Sequence, residues 1–585
     1  MVTRIIALII FVLAPFAANA DANQSSRIRI EEATVAQLQA AMASGRLTSE
    51  ALTREYIGRI LAFDQDGPGV NSVMELNPDA LAMARRADAL RRQGRVLGPL
   101  HGIPVLLKGN IDTGDRMQTT AGSFGLVGAP APRDSTVAAR LRAGGAVILG
   151  KTNLSEWANF RSFNSSSGWS AVGGQTNNPY GINRNPCGSS SGSGAAATAN
   201  FAAVSLGTET DGSIVCPGNA NGVVALKPTV GLTSRAGVVP ISHTQDTVGP
   251  HARTVADAAV ALAVIQSRAT DGRDAATAGV PLGWKGRARP TNIPADYTQF
   301  LDRDGLRGAR LGLTRSGIES APVQVGAAFD EVIEAIEAAG ATVIDLDAAG
   351  FEFAPADGEF LVLVYEFRDD LRNYLATRTR VPLAGGTLAE AIAFNEANSD
   401  REMPFFAQEI FELANSLALG PDAPQPAFGG MTYNQALEID RLSGVNGIDK
   451  ALADFDLDAI IAPTDNPAWA TDLLYGDRFL FGSSGLAAGA GYPIVQVPAS
   501  MVFGAPLGIS FFGTAFSEPT LIRLASGFEA VTRVRAQNPP TFALMLPDDH
   551  IDGTTPRRPR ATRNQQAKPQ QARPQDAKAW RPRRM

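Results

Sequence analysis

The sequence predicts an α/β fold with a mixed β-sheet covered by helices. Two observations carry that prediction. Short, continuous apolar runs recur along the chain, and stretches of helical periodicity separate them, which is the pattern of strands buried on both faces. The chain is also long and apolar enough to bury a large core: 585 residues, 44% apolar and 19% charged, bound it to one or two domains.

Residues 34–63 and 78–93 read as amphipathic helices; in the second, Met83, Ala87 and Leu90 fall on one face. Residues 103–107 (Ile-Pro-Val-Leu-Leu) form a strand ended by Lys108 and followed by Gly109-Asn110. A helix is expected at 135–143 and a strand at 146–149. The Ala-rich stretch 195–204 has helix propensity and closes on a short apolar run. Later buried strands are expected at 309–313, 341–344, 459–462, 494–497 and 507–512. Residues 385–425, polar and helical, are suited to capping a cleft, and no internal repeat is apparent.

Both ends differ from the body. Arg4, an apolar run from Ile5 to Phe16 and Ala18-Asn19-Ala20 give a charged n-region, an h-region and an A-x-A site, so residues 1–20 read as a signal peptide. The apolar run is too short to span a bilayer comfortably. The mature protein is therefore expected to be exported, periplasmic or secreted, with its domain at 21–550. Residues 551–585 form a basic tail; from position 556 it holds ten Lys/Arg against one acid, Asp576, amid Pro, Gln and Ala. That composition reads as disordered. With the whole chain at −6, a basic tail on an acidic body is suited to weak contact with anionic envelope polymers or lipid headgroups; a solvated extension with no partner is the other reading.

Only two cysteines occur, Cys187 and Cys216. Export would permit a disulfide between them, but two buried structural thiols are the expectation. They are too few for a cysteine-based metal site, and His101, His243, His251 and His550 show no ligand spacing such as HExxH. No metal and no cofactor are expected.

Two motifs mislead. Gly145-Ala146-Val147-Ile148-Leu149-Gly150-Lys151-Thr152 fits the P-loop expression, yet its four variable residues must themselves be strand, whereas a P-loop follows one. Gly188-Ser189-Ser190-Ser191-Gly192 fits the nucleophile elbow of Ser-His-Asp hydrolases, with Ser190 as nucleophile. The residues before it are not a strand, and His243 and His251 follow too soon for the usual Ser-Asp-His order.

The informative segments are Cys187-Gly188-Ser189-Ser190-Ser191-Gly192-Ser193-Gly194 and Thr208-Glu209-Thr210-Asp211-Gly212-Ser213-Ile214. With Lys108 upstream, they offer a lysine and two hydroxyls on turn-forming, glycine-rich backbone, the parts of a serine site that uses an amine as base. Ser213 is the candidate nucleophile, because Gly212 allows a tight turn that exposes a side chain and aims backbone N–H groups at one point. Lys108 is the candidate base, since burial beside apolar neighbours would strip its proton. Ser189, whose hydroxyl both donates and accepts, is the candidate relay.

These residues carry a resemblance. Lys108, the Gly-Ser-Ser segment and the Asp-Gly-Ser segment, with Ser189 and Ser213 offset by 24 residues, are similar to the amidase signature family. The chain looks most like its bacterial peptide amidases, through Asn153-Leu154-Ser155-Glu156-Trp157-Ala158-Asn159-Phe160, Gly168-Trp169-Ser170-Ala171 and residues 208–217. The likeness covers roughly residues 30–545. It implies a single large domain with a long mixed central sheet and helices on both faces. It implies a Ser-Ser-Lys triad, an oxyanion hole from the N–H groups of Thr210, Asp211, Gly212 and Ser213, and a cis bond between Gly188 and Ser189. Many members carry a further glycine and an arginine where this chain has Asp211 and Val215, and the peptide-amidase branch shares both replacements.

The expected reaction is hydrolysis of a carboxamide with release of ammonia. The substrate is a small molecule or peptide amide, most readily a C-terminal peptide amide, with a general aliphatic or aryl amide as the alternative. A role like that of the glutamyl-tRNA amidotransferases is disfavoured by the signal peptide and the acidic body, so no nucleic acid partner is expected. A dead binding protein is disfavoured because all three triad positions are filled. The sequence leaves the oligomeric state open.

Overall fold

Eleven strands of one mixed sheet carry the architecture. They are seen in a computed structural model that describes residues 29–279, 289–315 and 317–545; the segment read as a signal peptide and the basic tail lie outside the described residues. In chain order the strands are β1 (Val73–Leu76), β2 (Pro104–Lys108), β3 (Val147–Thr152), β4 (Trp169–Ser170), β5 (Gly174–Gln175), β6 (Val204–Glu209), β7 (Val224–Lys227), β8 (Thr247–Ala252), β9 (Arg310–Leu313), β10 (Thr342–Asp345), β11 (Ala459–Pro463), β12 (Ile494–Val502) and β13 (Ala505–Phe512). The short hairpin of β4 and β5 stands apart; the rest order as β1-β3-β2-β6-β8-β7-β12-β13-β11-β9-β10.

The central strands β6, β8, β7, β12, β13 and β11 pair antiparallel, and a parallel pair of ladders flanks them on each side. β1 closes one edge antiparallel to β3. Side chains alternate between faces along a strand. Val105, Leu106 and Leu107 of β2 are nonetheless all fully buried, so both faces of the sheet are covered. One core cluster joins Leu52, Tyr56, Leu106, Ile148 and Phe201, and another joins Leu311, Phe329, Phe511 and Leu524.

The helix expected at 34–63 is two helices, Val35–Ala43 and Ser49–Ile60. Gly45 takes φ +74°, which ends the first, and Thr48 starts the second by accepting from Ala51 N at 3.1 Å. The strand expected at 146–149 runs on as β3 through Gly150-Lys151-Thr152, so the P-loop-like residues lie in extended backbone. Lys151 Nζ there donates to Ile111 O and Thr119 Oγ1.

Within 385–425 the helices Leu388–Ala397, Ser399–Glu402 and Glu409–Ser416 form, as expected. They pack with Glu359–Leu375 and Tyr433–Ser443 around Phe160, Phe367, Leu371 and Phe411. Arg161 ties this layer to the loop that follows β3 by donating to Phe406 O at 3.0 Å and Ala407 O at 2.7 Å.

Candidate active site

Adjacent parallel strands bring the candidate residues together. β2 ends at Lys108, and β6 runs beside it with Leu107 opposite Leu206. The end of β6 therefore delivers Thr208 to the lysine, and Lys108 Nζ lies 2.9 Å from Thr208 Oγ1 and 3.2 Å from Thr208 O. Its third neighbour is Ser189 Oγ at 2.7 Å, on the turn that leads into the helix Ser191–Thr198. Asn110 Nδ2 donates to the same Thr208 hydroxyl at 3.0 Å. Lys108 and Ser189 are both fully buried.

Burial lowers the Lys108 ammonium from its ordinary 10.5 to about 7, against the fields of Asp246 and Glu209, which favour the charged form. Asp246 is itself buried, which lifts it to about 6, while the Thr210 hydroxyl donates to it at 2.6 Å. The lysine thus sits in a site that permits a free amine near neutral pH.

Ser213 follows β6 on a turn whose shape is fixed from both sides. Gly212 adopts φ +72°, a conformation that glycine takes without strain. The buried Glu209 carboxylate accepts from Ile214 N at 2.6 Å and Val215 N at 2.9 Å, which organises the start of the helix Val215–Ala220. Cys216 N donates to Gly212 O at 2.8 Å. These bonds consume the N–H groups of residues 214–216. Among the described residues, no protein acceptor takes those of Thr210, Asp211, Gly212 and Ser213. Ser213 is 8% exposed, so it is the member of the serine–lysine set that solvent reaches. Its carbonyl accepts from Ser190 N at 3.1 Å, which joins the two serine segments.

The peptide bond between Gly188 and Ser189 is cis, as the resemblance implied. Ser190 is fully buried and its hydroxyl is committed to β6, donating to Thr208 O at 3.0 Å and accepting from Thr208 N at 3.1 Å. Burial pushes His251 down to about 4, and the neutral ring donates from Nε2 to Ile214 O at 2.8 Å. It braces the turn and is not placed to serve Ser190.

One expectation fails. Cys187 and Cys216 are joined in a disulfide, with their Cα atoms 5.9 Å apart. The residues that buried-thiol reasoning treats separately are brought side by side by the pairing of the two serine segments. Structure also adds groups that the sequence does not single out: Thr208 and Asn110 around the lysine, Asp246 behind Thr210, and Glu209 behind the turn. Thr208, Glu209 and Asn110 stand inside or beside the motifs, whereas Asp246 carries no local signal. His243, Glu366 and Asp370 also converge, within 4.8 Å of one another. Glu366 there accepts from Ser242, Thr244 and Tyr433, so its oxygens serve internal hydrogen bonds.

Known proteins share this fold. The family model described as Amidase matches residues 51–522. A probable amidase of Arabidopsis thaliana is 41% identical over 88% of this chain and 93% of its own. The solved structure of the native peptide amidase of Stenotrophomonas maltophilia is 47% identical, with a TM-score of 0.78 over 87% of this chain and 99% of that one. The A-type chain of a glutamyl-tRNA(Gln) amidotransferase from Chloroflexus aurantiacus is 33% identical over 86% of this chain and 98% of its own.

Proposed function

The chain belongs to the amidase family and is a hydrolase of amide C–N bonds, and from that premise we propose that it releases ammonia from C-terminal peptide amides with Ser213, Ser189 and Lys108 as its catalytic groups. The observation that carries the mechanism is the fully buried Lys108 Nζ at 2.7 Å from Ser189 Oγ. A neutral amine has two hydrogens and one lone pair. With the hydrogens directed at Thr208 O and Thr208 Oγ1, the lone pair is left for the Ser189 hydroxyl.

Ser213 Oγ attacks the amide carbon while its proton passes through Ser189 to Lys108. The N–H groups of Thr210, Asp211, Gly212 and Ser213 stabilise the oxyanion. Removing one such donor costs about 3 kcal/mol. The C–N bond then breaks, Lys108 returns the proton through Ser189 to the leaving nitrogen, and ammonia departs. Water hydrolyses the acyl–Ser213 ester by the same relay, giving the carboxylate and restoring the serine.

The 47% identity to a peptide amidase supports the peptide-amide substrate over the amidotransferase role of the 33% relative. Residues 1–20 support export, and the basic tail supports a weak anionic contact. The test is ammonia release from a peptide amide and a simple aliphatic amide, with Ser213→Ala and Lys108→Ala alongside. Turnover of the peptide amide, abolished in both variants, is expected. Turnover of the simple amide alone would overturn the substrate assignment, and full activity in Ser213→Ala would overturn the site.

A further inference from the structure

The chain's two cysteines, out of 585 residues, stand one in and one just beyond the serine segments. Cys187 lies two residues before Ser189, and Cys216 three residues after Ser213. We infer that the Cys187–Cys216 disulfide is a positioning element of the active site, which holds the Ser189 turn and the Ser213 turn in register, so that turnover depends on its oxidised state. The inference rests on the assignment of Ser189 and Ser213 made above.

The two turns meet through a small set of hydrogen bonds. Ser190 N donates to Ser213 O at 3.1 Å, Ser190 Oγ bonds Thr208 N and O at the end of β6, and Asn221 Nδ2 donates to both Pro186 O and Pro217 O at 2.8 Å. Each turn also has a support of its own. The Ser189 turn is held from the loop after β3, where Ser155 N donates to Ser189 O at 3.1 Å. The Ser213 turn is held from β6 by the Glu209 carboxylate. The disulfide adds a covalent cross-link to these hydrogen bonds.

Cys187 is a tight coupling point. It takes φ +56°, unusual for a residue with a side chain, and that conformation is fixed by Asn185 Oδ1 on its N–H at 2.8 Å and by the Ser191 hydroxyl on its carbonyl. A shift of its sulfur therefore moves the Gly188–Ser189 backbone. On the other side, Cys216 N holds Gly212 O at 2.8 Å, so its movement is felt in the turn that presents the Ser213 hydroxyl and the four free N–H groups. The bridge packs with Ala220, Ala468, Trp469, Ala505 and Met545, and Trp469 Nε1 donates to Asp477 Oδ1 at 3.3 Å. Asp477 also accepts from Ser167 and from Asn185, the residue that fixes Cys187. The sulfur pair is thus one corner of a connected network around the Ser189 turn.

Reduction by a dithiol transfers two electrons and two protons, giving two thiols here and a cyclic disulfide on the reductant. Two thiol sulfurs cannot stay at bonding distance, so the turns separate at this corner. Proton relay through Ser189 depends on sub-ångström placement, so kcat falls while substrate binding, made elsewhere in the cleft, changes less.

The test uses the full chain and a peptide amide. In Cys187→Ala/Cys216→Ala, assayed well below its own melting temperature, kcat is expected to fall at least tenfold with KM within threefold. A kcat within twofold of the parent, with only the melting temperature lowered, would show a mere structural staple and overturn the inference. If the double variant does not fold, the parent is reduced with dithiothreitol and its thiols are counted. Loss of activity in step with the appearance of two thiols, regained on reoxidation, supports the inference; full activity with both thiols free overturns it. Ser213→Ala in the same assay tests the site assignment separately, so the two readings fail independently.

Discussion

As the proposed base, Lys108 sets the pH dependence of this enzyme. Its amine must be free to accept the proton from Ser189, so kcat/KM rises with pH and levels off above about 7, where burial has placed the lysine. At its ordinary 10.5, only about three lysines in ten thousand would be neutral at pH 7; at about 7, about half are. The difference corresponds to about 5 kcal/mol net against the ammonium, so its burial cost is larger still. Asp246 and Glu209 resist that cost by favouring the charged form. Asp246→Asn removes one of these fields, although its single oxygen can serve either Thr210 or the N–H groups of Ile241 and Ser242, which the carboxylate accepts together. The rising limb should therefore move to lower pH, whatever the change in the plateau. Because Asp246 is itself lifted to about 6, the effect is largest above that pH, where the parent carboxylate is charged. Initial rates of ammonia release at subsaturating peptide amide, followed from about pH 5 to about pH 10, measure it. A limb centred at 9 or above in the parent, or one that moves to higher pH in Asp246→Asn, would refute the assignment of Lys108 as base.

Other outcomes follow from the same geometry. Ser213→Ala should lower kcat by at least about 10⁴-fold, and Ser189→Ala by about 10² to 10⁴, the range for a lost proton-transfer partner, with KM little changed in both. Gly212→Ala introduces a side chain at φ +72° with its Cβ 3.2 Å from Ser484 Oγ, and tilting one oxyanion donor away should cost about 3 kcal/mol in kcat/KM. Lys108→Met should change the stability profile as well as activity. The unfolded lysine keeps its proton to 10.5 and the folded one only to about 7, so between these values the unfolded state binds more protons and stability rises with pH. The stability of the parent relative to Lys108→Met should climb by up to about 1.4 kcal/mol per pH unit across that window, as read by denaturant melts. Loss of the disulfide, which closes a separation of 29 residues, should lower unfolding free energy by about 4 kcal/mol in the chain-entropy account.

Much of the fold is legible in the sequence because buried parallel strands leave unbroken apolar runs. The strands Arg310–Leu313 and Ala459–Pro463 fall within a residue or so of expectation, as does Thr342–Asp345, although that edge strand is partly exposed rather than buried. β8 leaves no such trace, because Thr247–Ala252 carries Gly249, Pro250 and His251, which erase its apolar signature, whereas β7 shows only the short apolar run Val223-Val224-Ala225-Leu226. The first two helices read as one because the break at Gly45 costs too little pattern to interrupt the periodicity on either side. At the site, Lys108, Ser189 and Ser213 are legible because each stands in a distinctive segment. Thr208 and Asp246 are not, since their roles arise from register between β2, β6 and β8, across about 100 residues for the lysine–threonine contact. The disulfide is hidden for the same reason: 29 residues separate its cysteines, and only the approach of the two turns decides whether their sulfurs meet.

The most direct test of the central claim is to trap the covalent intermediate. The protein would be mixed with a peptide amide or a slowly deacylating ester analogue, quenched in acid, digested and mapped by mass spectrometry. An acyl group on Ser213, absent in Ser213→Ala and slow to form in Lys108→Ala, is the predicted result. An acyl group on Ser190, or turnover with no acylated serine at any point, would contradict the account.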